Sequence, residues 1–242
     1  MDILNLRQSF LNIALFFRCM VNRIFFDGNF KKKITLSKEE SRHLKALRLN
    51  KDQAVELFDG KGKVCLAKID CCGKEAVLEI VKTSVFSPEK KEVILLTAIP
   101  KGERSDWLVE KAVELGVTKI IPVNFRYSVV KPKRTKLERW KRLSIAACAQ
   151  SKRAFVPEIS SPVNFKDIFK KYDSFVVCHQ DGESFDKLKL TDSIVLVVGP
   201  EGGFSEEELE MLKTKSQFLK LNKNVLRTET AGVFGVGLFR SV

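Results

Sequence analysis

One stretch of the sequence decides the fold: VGPEGGFSEEE, residues 198–208, which starts at the end of a strongly hydrophobic run. Ser205 and Glu208 have the spacing of a capping box, in which each side chain accepts a hydrogen bond from the other residue's amide. The motif therefore predicts a helix that begins at Ser205, with all three glycines in the loop before it. Glycines let a ligand approach the backbone closely, and Glu201 adds an acceptor. Open α/β folds bind ligands at such a loop, at the carboxyl edge of the sheet.

The glycine spacing is not specific by itself. No Gly-Lys-Ser/Thr follows, so the loop is not a Walker loop, and it does not match the Gly-x-Gly-x-x-Gly of dinucleotide-binding proteins. A tight turn that requires positive φ explains the glycines as well as a ligand site does. Glycine spacing alone leaves both interpretations open.

A second strand, loop and helix follow in LNKNVLRTETA, residues 221–231. Arg227 and Glu229 stand beside two threonines in the sequence. Four polar side chains in a row are more than a loop needs in order to connect a strand to a helix. A helix N-cap at Thr228 or Thr230 accounts for one threonine only. Each glycine in the helix behind costs up to about 1 kcal/mol relative to alanine, so we expect another backbone to pack closely against that helix. These glycines are Gly232, Gly235 and Gly237.

The region around these loops predicts an α/β fold. Its compact hydrophobic runs are typical of strands in a buried parallel sheet. They are residues 93–98, 119–123, 175–178, 194–198 and 218–221. Two helices are predicted between them, at residues 105–115 and 135–148. In the first, Ser105 is the expected cap, Leu115 the last residue of a buried face and Gly116 the C′ residue.

The first third of the chain has a different texture, with short strands and frequent turn signals. The predicted strands are residues 23–26, 33–36, 54–58, 64–69 and 76–81, with a hairpin connection at residues 59–62. Ser37 and Glu40 form a capping box, which predicts one helix. These elements indicate a small β-barrel-like domain, and residues 84–91 are the predicted linker behind it.

Basic residues surround that helix: Lys31, Lys32, Lys33, Arg42, Lys45, Arg48 and Lys51. They indicate RNA contact, with a merely solvated helix face as the alternative. A longer basic stretch, residues 130–153, carries nine lysines and arginines and one acid, Glu138. Such a stripe binds phosphates if it folds onto one face, and binding then depends on salt. A basic solvated helix is again the alternative.

Composition limits the class of protein. The chain has 242 residues, 44% of them hydrophobic, which is enough for a real core and excludes disorder as the overall state. Its formal net charge is +13. A polyanionic partner is therefore expected, nucleic acid first and an acidic membrane surface second.

Cysteine usage and hydrophobic runs indicate a cytoplasmic protein without a metal. The six cysteines show no Cys-x-x-Cys spacing, and two histidines are present, which argues against a zinc site or a disulfide scaffold. The longest apolar run, residues 10–17, is too short to cross a bilayer. A signal peptide is the alternative for residues 1–19, but Asp2 and the lack of a small-residue cleavage site oppose it. Residues 1–19 are instead interpreted as an N-terminal extension, either from a start upstream of Met20 or as a loosely docked arm.

Four motifs together resemble one family, in order and with similar spacing: LFDG at residues 57–60, KAVELGV at 111–117, GPEGG at 199–203 and LRTETA at 226–231. The chain resembles the RsmE family, the SPOUT-class methyltransferases of uridine N3 in small-subunit (16S) ribosomal RNA. The resemblance implies a PUA-like RNA-binding β-barrel domain at residues 20–85 and an α/β domain with a trefoil knot at residues 92–242. It also implies S-adenosylmethionine as methyl donor, small-subunit ribosomal RNA or the assembled small subunit as partner, and a homodimer.

The resemblance also implies roles for single residues. The expected cofactor-binding residues are Cys178, His179, Val198, Gly199, Pro200, Glu201, Gly202, Gly203, Leu221, Asn222, Asn224, Val225, Leu226, Thr228, Thr230 and Ala231. The expected RNA-binding residues are Arg42, Lys45, Arg48, Lys101, Arg126, Lys131, Lys133, Arg134, Arg139, Arg142 and Lys152. Near the reacting base, Arg153 or Arg227 would stabilise negative charge on the uracil, and Glu229 or Glu201 would orient an arginine or accept the proton.

Two departures from the family pattern keep other functions open. Asn222 stands where the family usually has glycine, and Tyr127 stands at a frequent arginine, with Arg126 one place earlier. A non-catalytic RNA-binding or ribosome-assembly protein is one alternative. A methyltransferase of the same class that acts on another RNA position is the other.

Overall fold

The computed structural model describes residues 21–131 and 133–241. The chain divides into two compact units, Met1–Ser87 and Pro88–Val242. The N-terminal extension predicted at residues 1–19, together with Met20, lies outside the described residues.

The first unit is a five-stranded sheet with one helix. Its elements are β1 (Arg23–Phe25), β2 (Lys33–Thr35), α1 (Lys38–Ala46), β3 (Ala54–Phe58), β4 (Lys63–Cys71) and β5 (Val77–Val85). The strand order is β1-β3-β4-β5-β2, and β1 pairs with β3 in parallel while the other neighbours are antiparallel. All five predicted strands form. The strands and α1 enclose one apolar core that includes Leu36, Leu44, Leu57 and Leu78.

Helix α1 begins where the capping box predicts. The amide of Glu40 donates to Ser37 Oγ at 3.2 Å, and the amide of Ser37 donates to Glu40 Oε2 at 2.7 Å. The helix buries Leu44 and leaves Arg42 and Lys45 exposed, and Arg48, two residues beyond the helix end, is exposed as well. Three of the predicted RNA-binding cations therefore lie on the surface.

The second unit is a larger α/β fold. Its elements are β6 (Glu92–Thr97), α2 (Arg104–Glu114), β7 (Lys119–Asn124), α3 (Arg134–Gln150), β8 (Glu158–Ile159), β9 (Val163–Asn164), α4 (Phe165–Lys171), β10 (Phe175–Glu183), a 3-10 turn (Phe185–Lys187), β11 (Ser193–Val198), α5 (Glu206–Lys213), β12 (Ser216–Leu219) and α6 (Thr228–Arg240).

The sheet of this unit is parallel, as predicted. Its strand order is β12-β10-β11-β6-β7-β8, and β9 pairs with the end of β7. The central strands are buried on both faces, which explains why they read as unbroken hydrophobic runs. Since parallel strands end at the same edge, the loops that follow β6, β7, β10, β11 and β12 meet there.

Two predictions about helix α2 are wrong. Ser105 does not cap it, because the N-cap position is Glu103 and Ser105 Oγ donates to the carbonyl of Gly102 at 2.9 Å instead. Leu115 is 41% exposed and is not part of the buried face. Gly116 has φ +100° and lies directly after the C-cap, as its position at the predicted helix end required.

Helix α6 has close neighbours at its glycines, but they are side chains and not the backbone that was expected. A Cβ atom on Gly232 would lie 2.7 Å from Leu108 Cδ1, and one on Gly235 would lie 2.6 Å from Leu196 Cδ2. The leucines come from α2 and β11. The missing side chains of α6 therefore make room for the neighbouring leucine side chains.

The segment between β10 and β11 reaches the last part of the chain. The amide of Lys220 donates to the carbonyl of Glu183 at 2.8 Å, and the rings of Phe185 and Phe239 lie 5.3 Å apart. These contacts bring the segment against both the loop after β12 and helix α6. The trefoil knot itself stays a prediction. In the predicted linker, residues 84 and 85 belong to β5.

Candidate functional site

The loop between β11 and α5, residues 199–204, is called the glycine loop here. Its end is fixed by the predicted capping box, since the amide of Ser205 donates to Glu208 Oε2 at 2.8 Å and the amide of Glu208 donates to Ser205 Oγ at 3.3 Å. Gly203 has φ +75°, a conformation that favours glycine. The glycine loop therefore has a defined backbone path into the helix.

The glycine loop folds over its own phenylalanine. A Cβ atom on Gly199 would lie 2.9 Å from Phe204 Cζ, so the ring lies directly against the first glycine. The same ring packs edge-on against Phe125, with centroids 5.3 Å apart, and Phe125 is part of the buried core. The loop is thereby attached to the core beneath the sheet edge.

Glu208 connects the glycine loop to the turn after β7. It is 6% exposed, and its Oε1 accepts a hydrogen bond from the amide of Arg126 at 2.8 Å. Within that turn the amide of Phe125 donates to Ser128 Oγ at 2.9 Å. Glu208 therefore holds two of the converging loops together.

The loop between β12 and α6, residues 220–227, is called the second loop here. Gln180 Nε2, from the far end of β10, donates to the carbonyl of Asn224 at 3.3 Å. The amide of Asn224 donates to Asn222 Oδ1 at 3.0 Å, which closes a local turn. A Cβ atom on Gly182 would lie 2.5 Å from the carbonyl carbon of Leu219, so β10 passes very close to the start of this loop.

Thr228 joins the two loops. Its hydroxyl donates to the carbonyl of Gly199 at 3.0 Å, and the residue is 4% exposed. The alternative explanation, an N-cap at Thr228 or Thr230, does not apply, because the N-cap of α6 is Arg227 and no side chain caps it. The hydroxyl is instead used for a contact 29 positions away in the sequence.

The two loops and the end of β10 enclose a cavity of about 390 Å³, within the size range of small-molecule sites. Its lining is Cys178, His179, Gln180, Val198, Gly199, Pro200, Glu201, Gly203, Phe204, Leu219, Leu221, Asn222, Val225, Leu226, Arg227, Thr228 and Ala231. Thirteen of the sixteen expected cofactor residues are in this lining; Gly202, Asn224 and Thr230 are not. Sequence reasoning missed Gln180, Phe204 and Leu219. Phe204 directly precedes the predicted helix start, Leu219 lies inside the predicted strand 218–221, and Gln180 lies two residues beyond the predicted strand 175–178.

The polar groups of the cavity differ in character. Burial raises the pKa of the Cys178 thiol to about 12, so the thiol is neutral. His179 packs edge-on against Phe218, with its Nδ1 3.7 Å from Asp181 Oδ2. Glu201 and Arg227 are exposed and line the cavity. These two side chains bring opposite charges to the site.

Two other expected catalytic residues do not line the cavity. Arg153 Nη1 donates to the carbonyl of Val113 at 2.8 Å, near the end of α2, and its burial lowers the pKa of the guanidinium. Glu229 is 6% exposed, and its Oε1 lies 3.7 Å from Arg104 Nε. Its other oxygen, Oε2, has no hydrogen-bond partner among the described residues.

The basic stretch contains an internal acidic partner. Asp106 of α2 accepts from Trp140 Nε1 at 2.9 Å and lies 2.8 Å from Lys136 Nζ and 2.7 Å from Arg139 Nε. Burial alone would raise the pKa of Asp106, but hydrogen bonds from Lys136, Trp140 and Arg139 outweigh it and lower the pKa. Arg139, an expected RNA-binding residue, is therefore already paired.

The remaining expected RNA-binding residues of this unit are mostly exposed. They are Lys101, Arg126, Lys131, Lys133, Arg134 and Arg142. Lys152 is half-buried and has φ +60°, in the left-handed region. Lys101 and Arg126 follow β6 and β7, so both stand at the edge of the sheet where the cavity lies.

Two kinds of feature are absent from the described residues. Residues 21–131 and 133–241 contain no group of three or more His, Cys, Asp and Glu side chains arranged for a metal ion. Within the same ranges, no helix has the length and apolar character needed to cross a membrane.

Comparison with known families covers both units. Residues 87–240 match the family described as "RNA methyltransferase domain". Residues 36–80 match the family described as "RNA methyltransferase PUA domain". The cavity lies entirely within the first of these matches.

Individual relatives agree with the family matches. A protein of Rickettsia conorii, Ribosomal RNA small subunit methyltransferase E, is 30% identical over 233 residues, 90% of this chain and 95% of the relative. The protein of that name from Bacillus subtilis is 26% identical and covers 84% of this chain and 87% of its own. The crystal structure of the Neisseria gonorrhoeae protein of that name, bound to S-adenosyl methionine, has a TM-score of 0.85 at 29% identity, covering 91% of this chain and 97% of that one.

Proposed function

The chain belongs to the RNA methyltransferase family that includes Ribosomal RNA small subunit methyltransferase E, and on this basis we propose that it methylates N3 of a uridine in small-subunit ribosomal RNA with S-adenosylmethionine as donor. The observation that carries the proposal is the meeting of the glycine loop and the second loop around one cavity, tied by the Thr228 to Gly199 hydrogen bond. An rRNA substrate implies that the enzyme acts in the cytoplasm.

The lining of the cavity fits this donor. Val198, Leu219 and Leu226 provide apolar surface for the flat adenine ring. Glu201 and Asn222 supply oxygen acceptors for ribose hydroxyls or an amine. When bound, S-adenosylmethionine supplies a methyl group already activated by its sulfonium. The protein's remaining task concerns the uridine.

Uridine N3 carries a proton at neutral pH and is a poor nucleophile until that proton leaves. Each unit by which a site lowers the pKa of N3 corresponds to about 1.4 kcal/mol. Arg227 is placed to do this, because its exposed side chain lines the cavity. Its guanidinium stabilises the negative charge that develops on a uracil oxygen as the proton leaves. Charge stabilisation is the larger need, so Arg227 is the principal catalytic residue of the proposal.

Glu201 is the carboxylate best placed to accept the proton or to orient Arg227, since both line the same cavity. Arg153 and Glu229 have other contacts in this chain, with Val113 and Arg104. Because neither residue lines the cavity, we place them behind Arg227 and Glu201.

The main test of the chemistry is Arg227→Ala. We expect loss of RNA methylation, by roughly a hundredfold or more, with cofactor binding retained. Lys223→Ala is the matched control, because Lys223 is an exposed cation of the same loop that does not line the cavity. Methylation is measured with purified protein, labelled cofactor and small ribosomal subunits, and binding by calorimetry. Unchanged turnover in Arg227→Ala would remove Arg227 from the mechanism.

The substrate is tested by mass spectrometry of ribosomal RNA from cells with and without the gene. A missing N3-methyluridine in the small-subunit RNA is the expected result. A methyl group lost from another RNA position would reassign the substrate within the same class. Failure of the purified protein to bind S-adenosylmethionine would instead favour a non-catalytic RNA-binding protein.

The surface supports an RNA partner and a second copy of the chain. Exposed cations stand at the edge of the sheet beside the cavity, at Lys101 and Arg126, where phosphates would pass. Helices α2 and α6 pack together and expose large apolar side chains, among them Trp107 and Phe234. Covering such side chains is the usual role of an interface, so we propose a homodimer through α2 and α6. Analytical ultracentrifugation measures its mass.

A further inference from the structure

An exposed aromatic side chain lies beside the glycine loop without a role in the mechanism above. We propose that the ring of Tyr127 stacks on the uracil that is to be methylated and fixes the plane of that base. The inference rests on the proposed function and specifies how the same site holds its substrate. Tyr127 is therefore assigned as a substrate-positioning and specificity-determining residue.

The position of Tyr127 is fixed from both sides. One residue before it, the amide of Arg126 donates to the buried carboxylate of Glu208. One residue after it, Ser128 closes the turn, since its hydroxyl accepts from the amide of Phe125 and its amide donates to the carbonyl of Phe125 at 3.1 Å. The aromatic side chain is thus carried on a rigid turn, so little ordering would be needed when a base arrives.

The ring lies against the glycine loop. A Cβ atom on Gly202 would be 3.0 Å from Tyr127 Cβ and 3.9 Å from its Cδ2, so a larger residue than glycine would displace the tyrosine. Glu201 and Gly203, on either side of Gly202, both line the cavity. Tyr127 therefore lies against the residue of the glycine loop that stands between two residues of the cavity wall.

Exposure and charge around the ring fit a nucleobase. Tyr127 is 51% exposed, so part of its side chain is available to a ligand. Arg126 is exposed beside it, and Lys101 stands exposed at the same edge of the sheet. Aromatic side chains among cations are the usual surface for unpaired bases, because the ring takes the base and the cations take the phosphates.

The chemistry of N3 methylation favours stacking over edge contacts. N3 lies on the Watson–Crick edge of uracil, and that edge must stay free for the methyl group and for Arg227. A ring that contacts the face of the base holds it without using that edge. Tyr127 would thus orient the base while the reacting atom remains accessible.

The test compares three purified variants: Tyr127→Ala, Tyr127→Phe and, as matched control, Val129→Ala. Val129 is 62% exposed in the same segment, and the atoms nearest to a Cβ on Gly202 belong to Tyr127 and not to Val129. For each variant, kcat and KM for methylation of small ribosomal subunits are measured together with the Kd for RNA and the Kd for S-adenosylmethionine. Subunits from cells that lack the gene provide unmethylated substrate.

We expect kcat/KM to fall roughly five- to hundredfold in Tyr127→Ala, the range that loss of one base–aromatic stack produces. Tyr127→Phe keeps the ring and stays within about twofold of the wild type on the same basis. The Kd for RNA rises by no more than the same factor, because the stack is a single contact added to those with the phosphates. The Kd for the cofactor is unchanged.

Two results would overturn the inference alone. One is a Tyr127→Ala enzyme as active as Val129→Ala. The other is weaker cofactor binding in Tyr127→Ala, which would mean that the tyrosine only supports the glycine loop. A wild-type protein that methylates no RNA would be a different failure, because it would remove the proposed function together with the inference.

Discussion

The two loops that form the cavity are held in different ways. The glycine loop is fixed largely by its near neighbours: Phe204 lies under Gly199, and Ser205 pairs with Glu208. The second loop is fixed by distant parts of the chain, through Gln180, 44 positions away from Asn224, and through the Thr228 tether. The difference teaches that the glycine loop is encoded partly by local contacts, to which Phe125 and Arg126 add distant ones. The second loop has one local contact, from Asn224 to Asn222, and is otherwise held by distant parts of the chain.

The largest expected loss of stability comes from a substitution beside the second loop, compared here with one in the glycine loop. Gly182→Ala places a Cβ atom within 2.5 to 2.7 Å of the backbone of Leu219 and Lys220, so backbone must move. We expect the free energy of unfolding to fall by about 3 kcal/mol. Gly203→Ala is the counterpart in the glycine loop, where no atom lies within 4 Å and only the positive φ is strained, at about 1 kcal/mol. Urea denaturation measures both, and equal losses would contradict the comparison.

Thr228→Val tests the one bond that couples the loops. Valine keeps the shape of the side chain but leaves the carbonyl of Gly199 without its donor. A loss of about 1 kcal/mol in unfolding free energy is expected, together with weaker cofactor binding. Thr228→Ser retains the hydroxyl and is the matched variant. If valine binds the cofactor as tightly as serine does, the loops hold their positions without the tether.

The smallest effect uses Cys178 as a reporter beneath the second loop. Because burial raises its pKa to about 12, folding favours the neutral thiol, and this stabilisation declines as the pH rises above the ordinary value of 9. At pH 8 we expect Cys178 to be alkylated at least about tenfold more slowly than the exposed Cys71 and Cys72. Mass spectrometry of iodoacetamide-treated peptides measures the rates. Gly182→Ala should speed the Cys178 reaction, whereas Gly203→Ala should not.

Features that depend on a few consecutive residues were predictable from the sequence. The capping boxes of Ser37 and Ser205 both form as predicted, and the hydrophobic runs of the second unit pair in parallel. These features follow from side-chain spacing and strand burial, which need no knowledge of the tertiary fold. Most of the cavity lining was predicted in another way, from the family resemblance, which assigned both loops to one cofactor site.

Features that depend on distant partners were not predictable. A threonine at the start of α6 is typical of an N-cap, but the Thr228 hydroxyl donates to the carbonyl of Gly199. Arg153 donates from Nη1 to the carbonyl of Val113, 40 positions away, a contact that the sequence does not indicate. Leu115 continues the apolar period of α2, yet the helix ends before it and leaves it exposed. In each case a tertiary neighbour or a helix end determines the contacts or the exposure of the side chain, and local spacing does not contain that information.

The phenylalanine beneath the glycine loop has a consequence for ligand affinity. Because Phe204 is packed against Phe125, the loop is attached to the core before any ligand enters. Little conformational entropy is then left to lose at this wall of the cavity, so more of the contact energy appears as affinity. Most of the conformational entropy that the cavity loses on ligand binding would then be lost by the second loop.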